Sequence, residues 1–225
     1  MPIADQISLI NKQLNGSNAR LIVVTKTRSM EELKETYASG ALEFGENRVQ
    51  EMVEKEAVLP KDILWHQIGH LQTNKVKYIA PFVHLVHSVD SLNLLKEINK
   101  QAAKNNRVIN CLLQIYIATE ESKFGLDFAE AEALLEDPAF AELQHIRIVG
   151  LMGMASFTED ETQIRKEFSS LATFFNQLKN NKTGVSTGLV EWIELSMGMS
   201  GDYLIAAELG ATLVRVGSAI YGPRH

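Results

Sequence analysis

Leu21-Ile22-Val23-Val24-Thr25-Lys26-Thr27-Arg28-Ser29 carries the pattern that decides the fold. Leu21–Thr25 is an unbroken apolar and β-branched run, the mark of a strand buried on both faces in a parallel sheet. Lys26 ends the run, and Thr27-Arg28-Ser29 opens a helix-like segment. A lysine at the carboxyl end of such a strand stands where α/β folds place their chemistry. Burial lowers an amine's pKa from its reference of about 10.4 and keeps it nucleophilic toward a carbonyl. A strand-end lysine on its own is more often snorkelling or salt-bridged, so the rest of the chain must decide.

Outward from this stretch the pattern repeats. An amphipathic segment at 3–15 precedes it. Further apolar runs follow at 41–44, 63–67, 82–86, 108–117, 146–150, 192–195 and 212–216, with helical periodicity near 29–39, 47–57, 72–79, 91–104, 128–135, 160–179 and 201–208. Strands alternating with helices imply βαβ units. Eight such units in 225 residues predict a closed (β/α)8 TIM barrel with an extra N-terminal helix. An open dinucleotide-binding sheet would carry a glycine fingerprint after its first strand; here that place holds Lys26-Thr27-Arg28. The turn-rich stretch 180–188 reads as a loop between helix and strand, not a linker. The chain is expected to form one domain, 1–225.

Composition narrows the function. A net charge of -6 with dispersed Lys and Arg excludes a nucleic-acid footprint. Hydrophobic residues at 45% suffice for a real core. The lone Cys111, inside an apolar run, rules out an internal disulfide and reads as a buried strand thiol in a reducing compartment. With no signal-peptide pattern at the start and no apolar run long enough to span a bilayer, a cytoplasmic protein without membrane contact is expected.

In a barrel, functional groups gather just after the strands. The last two such places suit a phosphate: Ser196-Met197-Gly198-Met199-Ser200-Gly201 offers hydroxyls and approachable backbone, and Gly217-Ser218 follows the eighth run with Arg215 just upstream. Barrels commonly bind phosphate at these two loops. Asp202 is placed to cap the next helix. No Walker lysine follows a glycine loop. A strand-end lysine beside a phosphate grip suggests a Schiff base, either with a sugar phosphate or with the aldehyde of pyridoxal 5′-phosphate (PLP); spacing does not separate the two. Metal binding lacks its motifs: alternation puts His84 and His87 on opposite faces, and His66 reads as pocket-lining or core. Glu43 and Glu46 straddle the second strand end without the partner geometry of an acid/base pair.

Several strings are similar to those of the PLP homeostasis protein family, also called the proline synthetase co-transcribed bacterial homolog or alanine racemase N-terminal-like family. They are Val24–Thr27, Phe44-Gly45-Glu46-Asn47-Arg48-Val49-Gln50-Glu51, His66-Gln67-Ile68-Gly69-His70-Leu71-Gln72-Thr73-Asn74-Lys75, Glu121–Leu126, Gly150–Ala155, Leu195–Asp202 and Val214–Gly222. In order, they cover the chain from about residue 20 to its end. The resemblance implies a fold-type III PLP barrel with Lys26 as the internal aldimine lysine. It places Ser200, Gly217 and Ser218 around the phosphate and Arg215 against the pyridine nitrogen; Ser196 and Gly201 join the cofactor-binding set from the hydroxyl and glycine reading of their loop. Asn47, His66 and Met154 match positions lining the cofactor pocket. Two departures are noted: Gln67 stands where Phe is frequent, and Gly201 where an acidic residue is frequent.

Arginine cannot give the pyridine nitrogen a proton, which disfavours transaminase or decarboxylase chemistry, although racemases of this barrel class tolerate it. The racemases complete their site with a carboxyl-terminal β domain. The sequence runs only ten residues past Arg215, so that domain, which also forms the racemase dimer, is expected to be absent. The expectation is therefore a monomeric, non-catalytic PLP carrier in vitamin B6 homeostasis, with PLP-dependent apoenzymes as recipients. A weak amino-acid racemase is the alternative, and a Schiff-base sugar-phosphate aldolase the more distant one.

Overall fold

Eight parallel strands close on themselves in sequence order, β1 beside β2 and so on to β8, which pairs back with β1. The structure is a computed structural model and describes residues 1–119, 125–184 and 188–222. The strands are β1 (Arg20–Val24), β2 (Glu43–Glu46), β3 (Leu64–Gln67), β4 (Leu85–Val89), β5 (Ile109–Tyr116), β6 (Ile146–Met154), β7 (Val190–Ser196) and β8 (Leu213–Val216). Closure sets Ile22 against Arg215 and Val23 against Val216, so the first and last strands carry Lys26 and Gly217-Ser218 to neighbouring loops. The expected (β/α)8 barrel is what the chain forms.

Helices cover the outside: α1 (Ile3–Leu14), α2 (Met30–Ala38), α3 (Val49–Val58), α4 (Val76–Ile79), α5 (Leu92–Lys104), α6 (Phe128–Glu136), α7 (Pro138–Ala141), α8 (Glu161–Asn180), α9 (Tyr203–Glu208) and α10 (Ser218–Tyr221). The extra helix α1 buries Ile7, Ile10 and Leu14, spaced to share one face; each stabilises by roughly 1.5–3 kcal/mol. Helix α2 starts where Ser29 and Glu32 form a reciprocal capping box, which stops the strand-to-helix loop immediately after Arg28. The main core lies between strands and helices. A smaller apolar cluster, Ile22, Leu85, Leu112, Val149, Met152 and Leu213, fills the barrel interior.

Polar barrel-lining residues account for the displaced strand boundaries. The fourth strand is Leu85–Val89 instead of 82–86, because His87 and Ser88, both fully buried, interrupt the apolar run within the strand. The second is likewise shifted to Glu43–Glu46, and β6 runs on to Met154. The predicted helix 72–79 divides into a 3₁₀ turn, Thr73–Lys75, and α4. The one-turn helices α7 and α10 were too short for periodicity to signal. Of the quoted strings, Glu121-Ser122-Lys123-Phe124 lies outside the described residues, as do 185–187 of the turn-rich stretch and 223–225.

Candidate functional site at the carboxyl mouth of the barrel

A cavity of about 400 Å³ opens above the carboxyl ends of the strands, within the range of roughly 300–1,000 Å³ usual for small-molecule sites. Lys26, Asn47, Met154, Ser200, Gly201, Arg215, Gly217 and Ser218 all line it. These residues come from both ends and the middle of the sequence, and the barrel closure brings them together.

The two carboxyl-terminal loops are stitched to each other. Ser200 Oγ accepts the backbone N–H groups of Gly217 (3.1 Å) and Ala219 (3.3 Å), and Arg215 donates its backbone N–H to Gly198 O (3.0 Å). A Cβ at Gly217 would fall 3.2 Å from both the Cβ and carbonyl O of Val24, so glycine lets this loop lie against the strand that bears Lys26. Gly201 faces open space. Asp202 does not cap α9 as its position suggested. Its Oδ1 instead accepts the Met199 N–H (2.5 Å), bracing the loop from within, and burial raises its pKa.

Arg215 is nearly inaccessible at 4% exposure. Its guanidinium donates to Ser196 Oγ (2.5 Å) and Gly153 O (3.0 Å). Burial lowers its pKa to about 10, opposed by Asp202; at neutral pH it keeps its proton and remains a pure donor. Below it a polar chain crosses the interior. Ser196 Oγ lies 3.0 Å from His87 Nδ1, His87 Nε2 lies 3.0 Å from His66 Nδ1, and His66 Nε2 stands 3.5 Å from Glu43 Oε2. Because arginine only donates, Ser196 has its own proton for His87 Nδ1. His87 then donates from Nε2 to His66 Nδ1, leaving the His66 Nε2–H aimed at Glu43. Burial, followed by nearby cationic groups, holds both imidazoles well below the usual histidine pKa, which agrees with two neutral rings.

His66 and Ser196 therefore sit one layer beneath the cavity, not on its wall, because their strand positions point into the barrel below the mouth. Alternation also misjudged the histidine pair: His84 precedes β4, and the rings of His84 and His87 both approach His66, at 5.4 and 5.3 Å. Among the described residues no group of three or more His, Cys, Asp or Glu is arranged to hold a metal ion. Glu43 and Glu46 do not pair; Glu43 faces Arg20 and His66, whereas Glu46 binds Lys55. Gln67 donates to Asn47 O and Gly69 O, both at 3.0 Å, which holds the third loop against Asn47.

Some cavity residues escaped the sequence reading. Arg28, Ser156, Phe157 and Asp202 also line the cavity, and the Phe157 ring is 97% exposed at its rim. Arg28 carried a signal in its place two residues after Lys26, and Asp202, read as a helix cap, carried one in closing the Ser196–Gly201 loop. No described helix is long and apolar enough to cross a membrane.

The family model described as alanine racemase, N-terminal domain, matches residues 2–225. A pyridoxal phosphate homeostasis protein of Aquifex aeolicus is 39% identical, over 93% of this chain and 89% of that protein. Among solved structures, PipY of Synechococcus elongatus with PLP bound is 33% identical, with a TM-score of 0.85 over 98% of this chain and 100% of that one. Alanine racemase of Clostridium difficile, 14% identical, matches with a TM-score of 0.78 over 99% of this chain and 59% of its own, a likeness of fold alone. With the family model spanning nearly every residue and relatives of this identity aligned along most of their length, the chain belongs to the alanine racemase N-terminal domain family, among its pyridoxal phosphate homeostasis proteins.

Proposed function

We propose that this one-domain protein binds PLP in the carboxyl-mouth cavity and serves PLP homeostasis as a carrier, without a catalytic reaction of its own. The observation that carries the reading is the convergence of Lys26, Arg215 and the 200–201 and 217–218 loops on one cavity. The donor set suits the cofactor. Ser200, Gly201, Gly217 and Ser218 would hold its phosphate, since the Gly217 and Ala219 N–H groups already converge on one oxygen, Ser200 Oγ. Arg215 would face the ring nitrogen, with Asn47 and Met154 beside the ring. When bound, the cofactor supplies an aldehyde, with which a primary amine condenses reversibly to a carbon–nitrogen double bond, releasing one water and exchanging no electrons.

The residues of the chain then do the following. Lys26 would tether the ligand. Arg215, which keeps its own proton, would act only as a donor toward the ring nitrogen and so withhold the protonated-ring electron sink that most PLP catalysis uses. Ser196, His87 and His66 hold Arg215 from below. That PipY was solved both with and without PLP supports reversible holding for its relative here. We extend the reading to a cytoplasmic monomer that passes PLP to apoenzymes.

The test is addition of PLP to the purified chain and to Lys26→Ala, followed by visible absorbance and borohydride trapping. The wild type should turn yellow and carry a fixed adduct at Lys26, and the variant should do neither. A wild type that stays colourless and traps nothing would overturn the reading. Useful racemisation of any amino acid in a substrate panel would overturn the non-catalytic part.

A further inference from the structure

Beneath the loop that bears Lys26 lies a buried ion cluster with no part in the site as described so far. Lys55 on α3 is buried, and its Nζ donates to Thr25 O (2.7 Å), Glu46 Oε1 (2.7 Å) and Glu51 Oε1 (2.6 Å). These contacts use all three ammonium donors. Thr25 Oγ1 adds a hydrogen bond to Glu46 Oε1 (2.5 Å), and Glu51 Oε1 also accepts the backbone N–H of Thr27. The cluster therefore grips the carbonyl just before Lys26 and the N–H just after it. Thr27 is held at φ 63°, a left-handed conformation that β-branched residues avoid. On the other side of the loop, Arg28 donates to Gly222 O (3.0 Å) and lies 4.8 Å over the Tyr221 ring.

Buried ion pairs are a poor way to stabilise a fold, since apolar residues of similar volume do as well or better. Here the charges address the backbone on either side of one residue, and they force a turn that the local sequence does not favour. That arrangement points to orientation more than to stability.

We propose that Lys55, with Glu46 and Glu51, is a positioning unit that fixes the backbone at residues 25 and 27 and so delivers the Lys26 amine to the cavity from one direction. The inference rests on Lys26 being the point of covalent attachment. The unit touches neither the ligand nor the reacting atoms. Its effect should fall on attachment and spare recognition of ring and phosphate.

The experiment compares the full chain with Glu51→Ala, Glu51→Gln and Lys55→Met. Covalent attachment is followed by the rate at which the visible band appears with PLP and by borohydride-fixed mass at Lys26. Binding without attachment is measured with 4-deoxypyridoxine 5′-phosphate, which keeps the ring and phosphate but has no aldehyde. Displacing a reacting group by about 1 Å can cost roughly 100-fold in rate, so Glu51→Ala should slow attachment about tenfold or more while analogue affinity stays within about twofold. Glu51→Gln keeps an acceptor for the Thr27 N–H and should recover most of the rate. Attachment by Glu51→Ala at the wild-type rate would overturn the proposal, as would parallel losses of attachment and analogue binding. If Lys55→Met does not fold, the Glu51 pair alone decides. A wild type that attaches nothing at Lys26 overturns the attachment reading itself, whereas normal wild-type attachment with an unaffected Glu51→Ala overturns only the positioning.

Discussion

Acidification should unfold this protein through its buried imidazoles. His66 and His87 are 1% and 0% exposed, and burial first, then neighbouring positive groups, keep their pKa values well below 6.5. In the unfolded chain both take up a proton near pH 6.5. Below that point the unfolded state binds more protons than the folded one, so stability falls with pH until the folded pKa values are reached. Each such proton is worth about 1.4 kcal/mol per pH unit. From about pH 7 to about pH 5 the pair should cost roughly 4 kcal/mol, an upper bound that counts both rings as neutral when folded. Glu46 and Asp202 work in the opposite direction. Burial raises both carboxyl pKa values, so the destabilisation they cause at neutral pH is relieved as they protonate, offsetting part of the loss. The assay is the urea midpoint of the ligand-free chain across this range, with the slope m checked for constancy. Replacing His87 by Gln removes one titrating ring while leaving a donor and an acceptor between Ser196 and His66, and the loss should shrink by about half. Stability that is flat or rising toward pH 5, or an identical loss in wild type and His87→Gln, would refute the neutral-pair assignment.

Gly150→Ala should cost about 4 kcal/mol or more, because its Cβ would fall 1.7 Å from Glu194 O, where the β6–β7 register shifts; a wild-type thermal midpoint in that variant would refute the close strand approach. Ser200→Ala removes one donor or acceptor from a charged ligand and should weaken PLP binding roughly tenfold or more. Equilibrium dialysis against PLP and against pyridoxal, which lacks the phosphate, checks this, and equal losses for both would count against a phosphate role.

The barrel was legible because apolar runs such as Leu21–Thr25 and Val108–Ile117 announce strands buried on both faces, and their spacing leaves room for helices. Boundaries failed where the interior turns polar. His87-Ser88 and Gly45-Glu46 read as loop by hydropathy, yet they are buried strand residues; His87 finds partners in His66 and Ser196, and Glu46 in Lys55 and Thr25. The cavity residues Lys26, Ser200, Arg215, Gly217 and Ser218 could be named because each falls at a strand end. Depth could not be read in the same way. His66 and Ser196 differ from wall residues only in how far down the strand they point, and that depends on strand tilt and register, which are properties of the closed sheet. The Lys55 cluster was invisible for a related reason: nothing in Val49–Val58 says that its lysine turns inward beneath a different loop.

The chain Arg215–Ser196–His87–His66–Glu43 draws its members from five strands, β8, β7, β4, β3 and β2. From Arg215 to His66 each member hydrogen-bonds the next, so truncating Ser196 or His87 leaves a neighbour buried without its partner, at about 1–3 kcal/mol, whereas Glu43 only approaches His66 at 3.5 Å. Effects in such a network are not additive. A scan of single truncations would therefore overstate Ser196, His87 and His66 one at a time, whereas a concerted swap of these three for apolar residues of matching volume removes the partners together. For anyone diversifying this scaffold, the floor of the site is one hydrogen-bonded unit of variation, Arg215, Ser196, His87 and His66, to be changed in compensating sets.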